Sequence, residues 1–411
     1  MAKVFMDRVL VSIDIGTTKI CVIVAHKLDD DHVEIIGIGK APSDGLKKGV
    51  VVDVAKTIHS IKNAVKEAEI SAGISIESAY IGISGGHITS LNSSGVVPIK
   101  QGEVRSSDIV NVLAAARAIP IPEGQQILHT LPQYFVIDSQ NRVQDPLGMY
   151  GIRLEVEVHI ILGAIASVQT LVRCCEMAGI KVNDIILEQL ASADAVLSAD
   201  ERELGVAMLD IGGGTSDLAI YQHGSIRHTF VLPVAGNHFT HDVALGMRTT
   251  IKEAERIKRE YGLAFPDLLK EDDLIEIDRV QGNEKQLVHV ADLVRIVHPR
   301  AEEILTLVYQ EIVKHSMQSS ITAGLVLTGG GSLLRGMKEL AETIFEVPVR
   351  IGNPRFDYRL PDMLDNPMYA TGYGLIVHAL KQKQTGHLSR ADAPVIKQVF
   401  ERMKSWVSDF F

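Results

Sequence analysis

The sequence predicts an α/β protein of two similar lobes with an inserted subdomain. Its 411 residues exceed what one hydrophobic core usually serves, so more than one lobe is expected. A pattern of apolar strand, Asp-Ile-Gly, small-residue turn and apolar strand occurs twice, as VSIDIGTTKICVIVA at 11–25 and AMLDIGGGTSDLAIY at 207–221. Such a repeat indicates two related lobes that face each other. The scarcity of aromatic residues and the many aliphatic ones suit buried strands flanked by helices.

The first lobe is predicted over residues 1–84, where several strands accompany one helix. The helix follows Asp53, a suitable N-cap, and ends before Gly73, which can take the left-handed conformation that closes many helices. Apolar runs bounded by turn residues predict the strands of this lobe: 9–15, 20–26, 33–39 and 78–84.

Residues 85–165 have a different pattern of strands and helices from the segments on either side, and they are predicted to form the inserted subdomain. The segment contains strand-like runs at 126–138 and 152–162 and a helix at 107–118, which ends near Pro120. It therefore interrupts the alternation of strands and helices that characterises both lobes.

The second lobe is predicted over residues 166–247 and 321–383, with a charge-rich, more helical subdomain at 248–320 between them. A long helical pattern in that subdomain, 291–318, is expected to break at Pro299, because proline lacks a backbone N–H. The predicted elements of the second lobe are helices 167–178, 190–199, 332–345 and 367–382, and strands 182–188, 205–211, 324–328 and 347–351.

The two repeated turns have the composition of a phosphate-binding clamp. Glycine turns place successive backbone N–H groups on a concave surface, and nearby hydroxyl and ammonium groups add donors for phosphate oxygens. Each turn follows an aspartate, and two carboxylates that face a phosphate need a cation between them, so hydrated Mg²⁺ is expected. The expected phosphate contacts are Gly16, Thr17, Thr18 and Lys19 in the first turn and Gly212, Gly213, Gly214 and Thr215 in the second, with Asp14 and Asp210 contacting Mg²⁺ through water.

A third glycine turn, Gly329-Gly330-Gly331, follows the strand predicted at 324–328. The helix predicted after it would point its N-terminus at a ligand, so this turn is expected beside the adenosine of a nucleotide held by the two clamps. Small residues farther along are interpreted as a close helix contact at a hinge between the lobes: Ala370, Gly372 and Gly374.

Five segments in this order resemble the superfamily of actin, sugar kinases and heat-shock chaperones. In chain order they correspond to a first phosphate loop, a first connecting helix, a second phosphate loop, an adenosine loop and a second connecting helix: Asp14–Lys19, Glu188–Val196, Asp210–Asp217, Gly329–Gly331 and Ala370–Leu375. The resemblance implies an actin-like (ribonuclease H-like) two-lobed ATPase fold with an inserted subdomain and a C-terminal amphipathic helix. Within the superfamily, the segments SIDIGTTKICVIVA, ERELGVAMLDIGGGTSDLAIY and AGLVLTGGGSLLRGM, together with the insert and the amphipathic end, resemble the FtsA family over nearly the whole chain.

This resemblance implies ATP-dependent filaments that attach the FtsZ ring to the cytoplasmic membrane at the division site and recruit later division proteins. It implies that Glu188 orients the attacking water, and because this position diverges among relatives, ATP hydrolysis is expected to be slow or vestigial. It implies that Glu255 and Lys258 line the adenine side of the nucleotide site; the alternative is that they form an exposed charged helix face. Arg300 and Glu303 would receive the FtsZ C-terminal tail, or would form a solvated helix start. The insert would supply polymer and partner contacts.

The C-terminal segment APVIKQVFERMKSWVSDFF predicts an amphipathic helix over 394–411, after a polar linker at 384–393. Its apolar residues recur at intervals of three and four: Val395, Ile396, Val399, Phe400, Met403, Trp406, Val407, Phe410 and Phe411. This stripe carries the only tryptophan and favours a helix that lies in a membrane interface. Docking against the protein's own body or a partner groove is the alternative. Three basic and two acidic side chains nearly cancel, so the anchor is expected to depend on apolar burial and on avidity within filaments.

Composition excludes several other functions and locations. The formal net charge of −10, with no basic stripe, argues against a nucleic-acid partner. The three cysteines lie in apolar runs without a CxxC spacing, which indicates buried thiols in a reducing cytosol. The charged N-terminus does not resemble a signal peptide, and no run approaches the roughly 18 apolar residues of a membrane span. The predicted location is therefore the cytoplasmic face of the bacterial inner membrane, with peripheral attachment.

Two other functions are compatible with parts of the sequence. A small-molecule kinase of the same fold would explain the clamps but not the amphipathic end, and a chaperone-like ATPase is expected to carry a long substrate domain after its second lobe. His238 and His241 have a spacing that could bind metal, but no third ligand is evident, and they are interpreted as incidental.

Overall fold

Eighteen strands are found in the computed structural model, which describes residues 8–29, 32–280, 285–355 and 361–384. Their bounds are β1 Val9–Ile15, β2 Lys19–Lys27, β3 Val33–Pro42, β4 Leu46–Lys47, β5 Val50–Val51, β6 Ser78–Ile83, β7 Thr89–Pro98, β8 Gln125–Ile137, β9 Arg142–Val143, β10 Arg153–Ala164, β11 Lys181–Leu187, β12 Val206–Ile211, β13 Ser216–Gln222, β14 Ser225–Leu232, β15 Leu274–Asp278, β16 Lys285–His289, β17 Leu325–Thr328 and β18 Val349–Ile351.

Ten α-helices accompany these strands within the described residues. Their bounds are α1 Val54–Ala72, α2 Ser106–Ala116, α3 Ile165–Met177, α4 Glu188–Val196, α5 Ala199–Leu204, α6 Gly236–Gly246, α7 Ile251–Tyr261, α8 Val290–Lys314, α9 Met337–Phe345 and α10 Ala370–Gln384. Short 3₁₀ turns occur as well, of which Gly330–Leu333 bears on the site described below.

The two lobes are built on sheets of the same strand order. The first lobe has the order β3-β2-β1-β6-β11, and the second has β14-β13-β12-β17-β18. In each sheet the middle strand pairs antiparallel with the strand that follows it and parallel with the strand on its other side. This shared topology confirms the two similar lobes predicted from the internal repeat.

The repeated hairpins place aspartates at matching points of the two sheets. Asp14 lies opposite Cys21 in the β1–β2 pair, and Asp210 lies opposite Asp217 in the β12–β13 pair. β1 and β12 are apolar and buried along almost their whole length because helices cover both faces of each sheet. Each aspartate is the second-last residue of its strand, so its carboxylate leaves the apolar core at the point where the glycine turn begins.

The inserted subdomain has its own antiparallel sheet, of order β7-β10-β8-β9, with α2 packed against it. Val112, Leu154 and Val158 are among the fully buried residues of its separate core. The subdomain rests on strand β14 of the second lobe, where the Ser90 hydroxyl donates to the Thr229 carbonyl at 2.9 Å. The insert is therefore attached to both lobes, through the chain to the first and through side chains to the second.

The first helix has the predicted caps. The Asp53 carboxylate accepts a hydrogen bond from the Lys56 N–H at 3.0 Å and so caps the N-terminus of α1. Gly73 has a φ of 68°, and its N–H donates to the Glu69 carbonyl at 2.8 Å. Both ends of α1 were therefore predictable from single residues.

The prediction of an interruption at Pro299 is wrong, because α8 continues unbroken through it. A proline inside a helix removes one backbone hydrogen bond and costs about 3 kcal/mol. The helix offsets that cost by burying an apolar face on both sides of the proline, at about 1.5–3 kcal/mol for each large side chain. The buried residues are Val290, Leu293, Val294, Val297, Ala301, Ile304, Leu305, Val308 and Ile312.

All four helices predicted for the second lobe start at other points: those predicted to begin at 167 and 367 begin at Ile165 and Ala370. The helix predicted at 190–199 begins at Glu188 and ends at Val196, after which Ser198 caps the short helix α5. The helix predicted at 332–345 begins only at Met337, because the 3₁₀ turn and the left-handed Gly336, with a φ of 78°, precede it.

Helices α4 and α10 cross at close range between the lobes. A Cβ atom added to Gly374 would lie 1.8 Å from the Ala191 carbonyl oxygen, so only glycine fits there. The Ser12 hydroxyl of β1 donates to the Gly372 carbonyl of α10 at 2.7 Å, which ties the first lobe to the same crossing. The close packing predicted for these small residues is confirmed.

Two predicted segments lie outside the described residues, apart from Gln384, which ends α10: the linker at 384–393 and the amphipathic helix at 394–411. Within the described part of the chain, no helix has both the length and the apolar character that crossing a membrane requires.

We expect Gly374→Ala to destabilise the protein by about 2–4 kcal/mol, since the new methyl group overlaps the Ala191 carbonyl and forces α4 and α10 apart. The measurement is the midpoint of thermal unfolding. Gly86→Ala is the matched control, because its Cβ would meet nothing closer than Pro233 at 3.7 Å. Equal midpoints for the two variants would contradict the close crossing.

Candidate functional site

Four carboxylates converge where the two lobes meet. Asp14, Asp210 and Asp217 are buried, with 7%, 7% and 3% of their surfaces exposed, and Glu188 at the start of α4 is partly exposed. Each of the four interacts electrostatically with at least one of the others. The structure therefore brings together the three residues predicted to carry the chemistry and adds a fourth, Asp217.

The pKa of each of these four groups is raised. Burial is the main cause for all of them, and it raises the pKa of Asp14 to about 6 and that of Asp217 to about 7, with repulsion from Asp210 adding to both. The pKa of Glu188 rises well above its usual range through burial and through repulsion from Asp14, Asp217 and Asp210. Burial also raises the pKa of Asp210. The site is thus short of positive charge.

Hydroxyl groups from several elements hold the carboxylates in place. Asp210 accepts hydrogen bonds from Ser192 of α4 at 2.6 Å and from Thr371 of α10 at 3.1 Å. Asp217 accepts from the Thr215 hydroxyl at 2.8 Å. It also accepts, at 2.5 Å, from Ser84 at the end of β6, which joins the second lobe to the first.

The two glycine turns face each other across this cluster. A Cβ atom added to Gly213 would lie 2.4 Å from the Thr18 side chain, and one added to Gly214 would lie 2.2 Å from the Thr17 hydroxyl. The turns thus oppose each other as two halves of one clamp, and they contact through their smallest residues. We call the space bounded by these turns and the four carboxylates the interlobe cleft.

Lys19 is the ammonium group that offsets the carboxylates most directly. Its charge lowers the pKa of Asp14 and of Asp210 against the raising effect of burial. The Nζ atom donates to the Met368 carbonyl at 2.7 Å and lies 4.2 Å from the centre of the Tyr369 ring. Lys19 therefore connects the first turn to the segment that leads into α10.

The third glycine turn borders the same cleft. Gly329 has a φ of 79°, and a Cβ atom there would lie 2.2 Å from the Asp210 carboxylate. Gly331 packs equally closely on Ile211, so the turn lies directly beside the second phosphate turn. The prediction that a long helix starts immediately after this turn is wrong, because a 3₁₀ turn over Gly330–Leu333 comes first.

Glu255 and Lys258 of α7 are linked to the second phosphate turn through α6. Lys258 Nζ donates to the Gly236 carbonyl at 3.3 Å and to Glu255 at 2.5 Å. The N–H of Gly236 donates in turn to the Gly212 carbonyl at 3.0 Å. Lys258 is largely buried, with 14% of its side chain exposed, whereas 42% of the Glu255 side chain is exposed, so the alternative of an exposed charged helix face describes Glu255 better than Lys258.

Arg300 and Glu303 lie within α8 and not at a helix start, which corrects that alternative. The Arg300 guanidinium donates to the Asp242 carboxylate of α6 at 2.6 Å and forms an ion pair with Glu303. His238 accepts a hydrogen bond from the Ala235 N–H at 3.1 Å at the first turn of α6.

Sequence reasoning missed several polar residues of the cleft. They are Asp217, Ser84, Ser192 and Thr371. The repeat carried a signal for one of them, because Asp217 occupies the position of Cys21 in the other copy, and a charged residue there is unusual in a buried strand.

Comparisons with known proteins identify the family. The family model described as cell division protein FtsA matches residues 207–374, and the model of the SHS2 domain inserted in FtsA matches residues 85–162. The chain is 45% identical to the cell division protein FtsA of Pseudomonas aeruginosa over 419 aligned residues, which span all of both chains. It is 40% identical to that of Neisseria meningitidis, over 98% of this chain and 99% of the relative.

The chain belongs to the FtsA family of cell-division proteins. Solved structures support the actin-like fold that this family membership implies. The PilM–PilN type IV pilus biogenesis complex matches 90% of this chain and 98% of its own, with a TM-score of 0.64 and 18% identity. MreB5 of Spiroplasma citri bound to ADP matches 92% and 99%, with a TM-score of 0.59 and 15% identity. The protein is therefore an actin-like division protein of the FtsA family with an SHS2 insert.

We expect Asp217→Asn to stabilise the metal-free protein at alkaline pH, by on the order of 1–2 kcal/mol at about pH 8. A carboxyl whose pKa is raised in the folded state favours folding when protonated, and it loses that contribution as pH rises through about 7. The advantage of the variant should therefore shrink as pH falls toward about 5. Unfolding is measured in a chelator, and an advantage that does not change with pH would contradict the raised pKa.

Proposed function

We propose that this protein binds ATP with Mg²⁺ in the interlobe cleft and uses the nucleotide to control its assembly into filaments on the membrane. The observation that carries the proposal is the group of four buried or partly buried carboxylates between two opposed glycine turns, with Lys19 as their nearest offsetting charge. MreB5 of Spiroplasma citri, which shares the fold, was solved with ADP and also with AMPPNP.

The donor set of the cleft fits Mg²⁺. Carboxylate oxygens are the ligands that this ion prefers, and it commonly keeps several waters while bound by one or two carboxylates and by substrate phosphates. Asp14 and Asp210 would hold it through water, and Asp217, whose pKa repulsion from Asp210 raises, would orient the same waters. A bound cation supplies the positive charge that these residues and the phosphates lack.

The glycine turns would bind the phosphates, with Gly16–Lys19 on one side and Gly212–Thr215 on the other. Backbone N–H groups of such turns suit phosphate oxygens, and the Thr17 and Thr18 hydroxyls already point across to the opposite turn. Lys19 would have to exchange its hydrogen bond with the Met368 carbonyl for a phosphate oxygen. Gly329–Gly331 would lie under the adenosine, where a larger residue would block the approach of the ligand.

Glu255 and Lys258 would form the adenine wall on the second lobe. Their helix, α7, approaches the glycine-turn segment: the Ala264 N–H just beyond α7 donates to the Arg335 carbonyl at 2.7 Å. The Lys258 ammonium is held by Gly236, Thr240 and Glu255, so its stem is ordered beside the proposed nucleotide and not free in solvent.

Glu188 would orient the attacking water, with slow or vestigial hydrolysis as the family resemblance implies. Burial is the main cause that raises the pKa of Glu188 well above its usual range, and repulsion from Asp14, Asp217 and Asp210 adds to it. A cation bound between these carboxylates would oppose that repulsion.

The remaining contacts concern partners. Arg300 and Glu303 of α8 would receive the FtsZ C-terminal tail. The Arg300 guanidinium also pairs with Asp242 of α6, so a cation and two carboxylates lie together where α6 and α8 meet. The insert at 85–165 would supply contacts to neighbouring copies in filaments and to later division proteins. No contact with nucleic acid is proposed.

The C-terminal segment would attach the filament to the cytoplasmic face of the bacterial inner membrane, at the division site. Nine apolar side chains contribute on the order of 1 kcal/mol each on partial burial, less the cost of ordering the helix. One such helix is a reversible anchor, and a filament that presents many of them binds by avidity.

We expect Asp210→Ala to weaken binding of ATP in the presence of Mg²⁺ at least tenfold, because it removes a carboxylate from the proposed metal site. Affinity is measured by calorimetry on the full chain. Asp200→Ala, on the exposed first turn of α5, is the control with the same change of charge. If neither parent nor control bound ATP, the proposed nucleotide site would be wrong.

We expect the full chain with ATP to sediment with anionic vesicles and a chain ending at Ala391 to stay in the supernatant. Trp406→Glu should abolish sedimentation, since it places a charge in the apolar stripe, whereas Ser408→Glu adds the same charge on the polar side and should have little effect. Sedimentation of the truncated chain would place the membrane contact elsewhere. Phosphorylation of a sugar by the purified protein would favour the kinase hypothesis instead.

A further inference from the structure

Two histidines and a glutamate lie together outside the interlobe cleft. His228 belongs to strand β14, while Glu311 and His315 lie one turn apart at the C-terminal end of α8. The group joins the edge strand of the second-lobe sheet to the long helix of the charge-rich subdomain. We call it the β14–α8 cluster.

The geometry of the cluster suits a single metal ion. His228 Nε2 lies 3.3 Å from Glu311 Oε1, and His315 Nε2 lies 2.9 Å from the same oxygen. One donor atom from each of the three residues lies within 4.8 Å of the other two. Donors about 2.0–2.2 Å from a tetrahedral ion are separated by roughly 3.4 Å, so only small side-chain movements are needed.

One atom of the cluster lacks a hydrogen-bond partner among the described residues. His228 Nε2 is buried and lies 3.3 Å from Glu311 Oε1, but it lacks the alignment of a hydrogen bond. A buried polar atom without a well-aligned partner costs free energy. A metal ion held between the three side chains would give this nitrogen a partner.

Lys314 is the neighbouring cation that competes with a metal for Glu311. Its Nζ lies 3.2 Å from Glu311 Oε2, whereas both histidine nitrogens lie closest to the other oxygen, Oε1. The lysine therefore leaves Oε1 to the metal.

We propose that His228, Glu311 and His315 bind one divalent transition-metal ion of the Zn²⁺ type. Two imidazoles and a carboxylate are a ligand set that Zn²⁺ prefers, and the His315 side chain, 39% exposed, puts the fourth position within reach of water. The ion joins α8 to β14. The next residue of β14, Thr229, contacts the insert through His159 and Ser90, so the metal lies one residue from that interface.

The test is titration of the full chain with Co²⁺, which reports four-coordinate nitrogen and oxygen sites by their visible absorption. The protein carries no polyhistidine tag, is first treated with a chelator, and is kept in excess Mg²⁺ to occupy the oxygen sites of the cleft. We expect one equivalent of four-coordinate Co²⁺, displaced by Zn²⁺, and a higher midpoint of thermal unfolding with Zn²⁺.

His315→Gln should weaken Co²⁺ binding about 100-fold or more, since even the loss of an outer contact costs 10–100-fold. The side chain is 39% exposed, so the variant is expected to fold, and its unfolding midpoint in chelator verifies this. His223→Gln removes a histidine 62% exposed in the turn before β14 and should leave binding unchanged. The proposal is overturned if the parent chain shows no four-coordinate absorption, or if His315→Gln binds Co²⁺ as tightly as the parent.

Discussion

Repulsion among buried carboxylates is the constraint on which the centre of this molecule depends. Asp14, Asp210, Asp217 and Glu188 come from both lobes, and nearby hydroxyl groups and one lysine stabilise their charges only in part. A cluster of this kind would be costly in a protein that had no use for a cation. The glycine turns, Lys19 and the hydroxyl donors are all arranged around this one group of carboxylates.

The same contacts make the relative position of the lobes depend on the cleft. Ser84 of the first lobe donates to Asp217 of the second, and Thr371 of α10 donates to Asp210. α10 also packs on α4 at Gly374 with no space for a side chain. A change of charge at the aspartates therefore acts on hydrogen bonds that cross between lobes and on the helices that connect them. Coupling between a ligand in the cleft and the relative position of the lobes requires contacts of this kind.

The surfaces outside the cleft are organised around α8. Its apolar face anchors the charge-rich subdomain, its middle carries Arg300 and Glu303 beside Asp242, and its C-terminal end reaches β14 at His228. β14 in turn supports the inserted subdomain. One long helix thus joins the charge-rich subdomain to the second-lobe strand that supports the insert. Pro299 is tolerated within it because burial outweighs one missing hydrogen bond.

The sequence by itself determined the repeated strand-turn-strand units, the two aspartates with their glycine turns, and the caps of α1, because each depends on residues close together in the chain. The amphipathic pattern at the end of the chain is of the same kind. The tertiary structure decided what depends on distant residues: the continuity of α8 through Pro299, the 3₁₀ turn that delays α9, and the place of Asp217 and Ser84 in the cleft. The β14–α8 cluster also belongs to that second group, because His228 and His315 are 87 residues apart in the sequence, and only the packing of a helix end against a strand brings their ring nitrogens together.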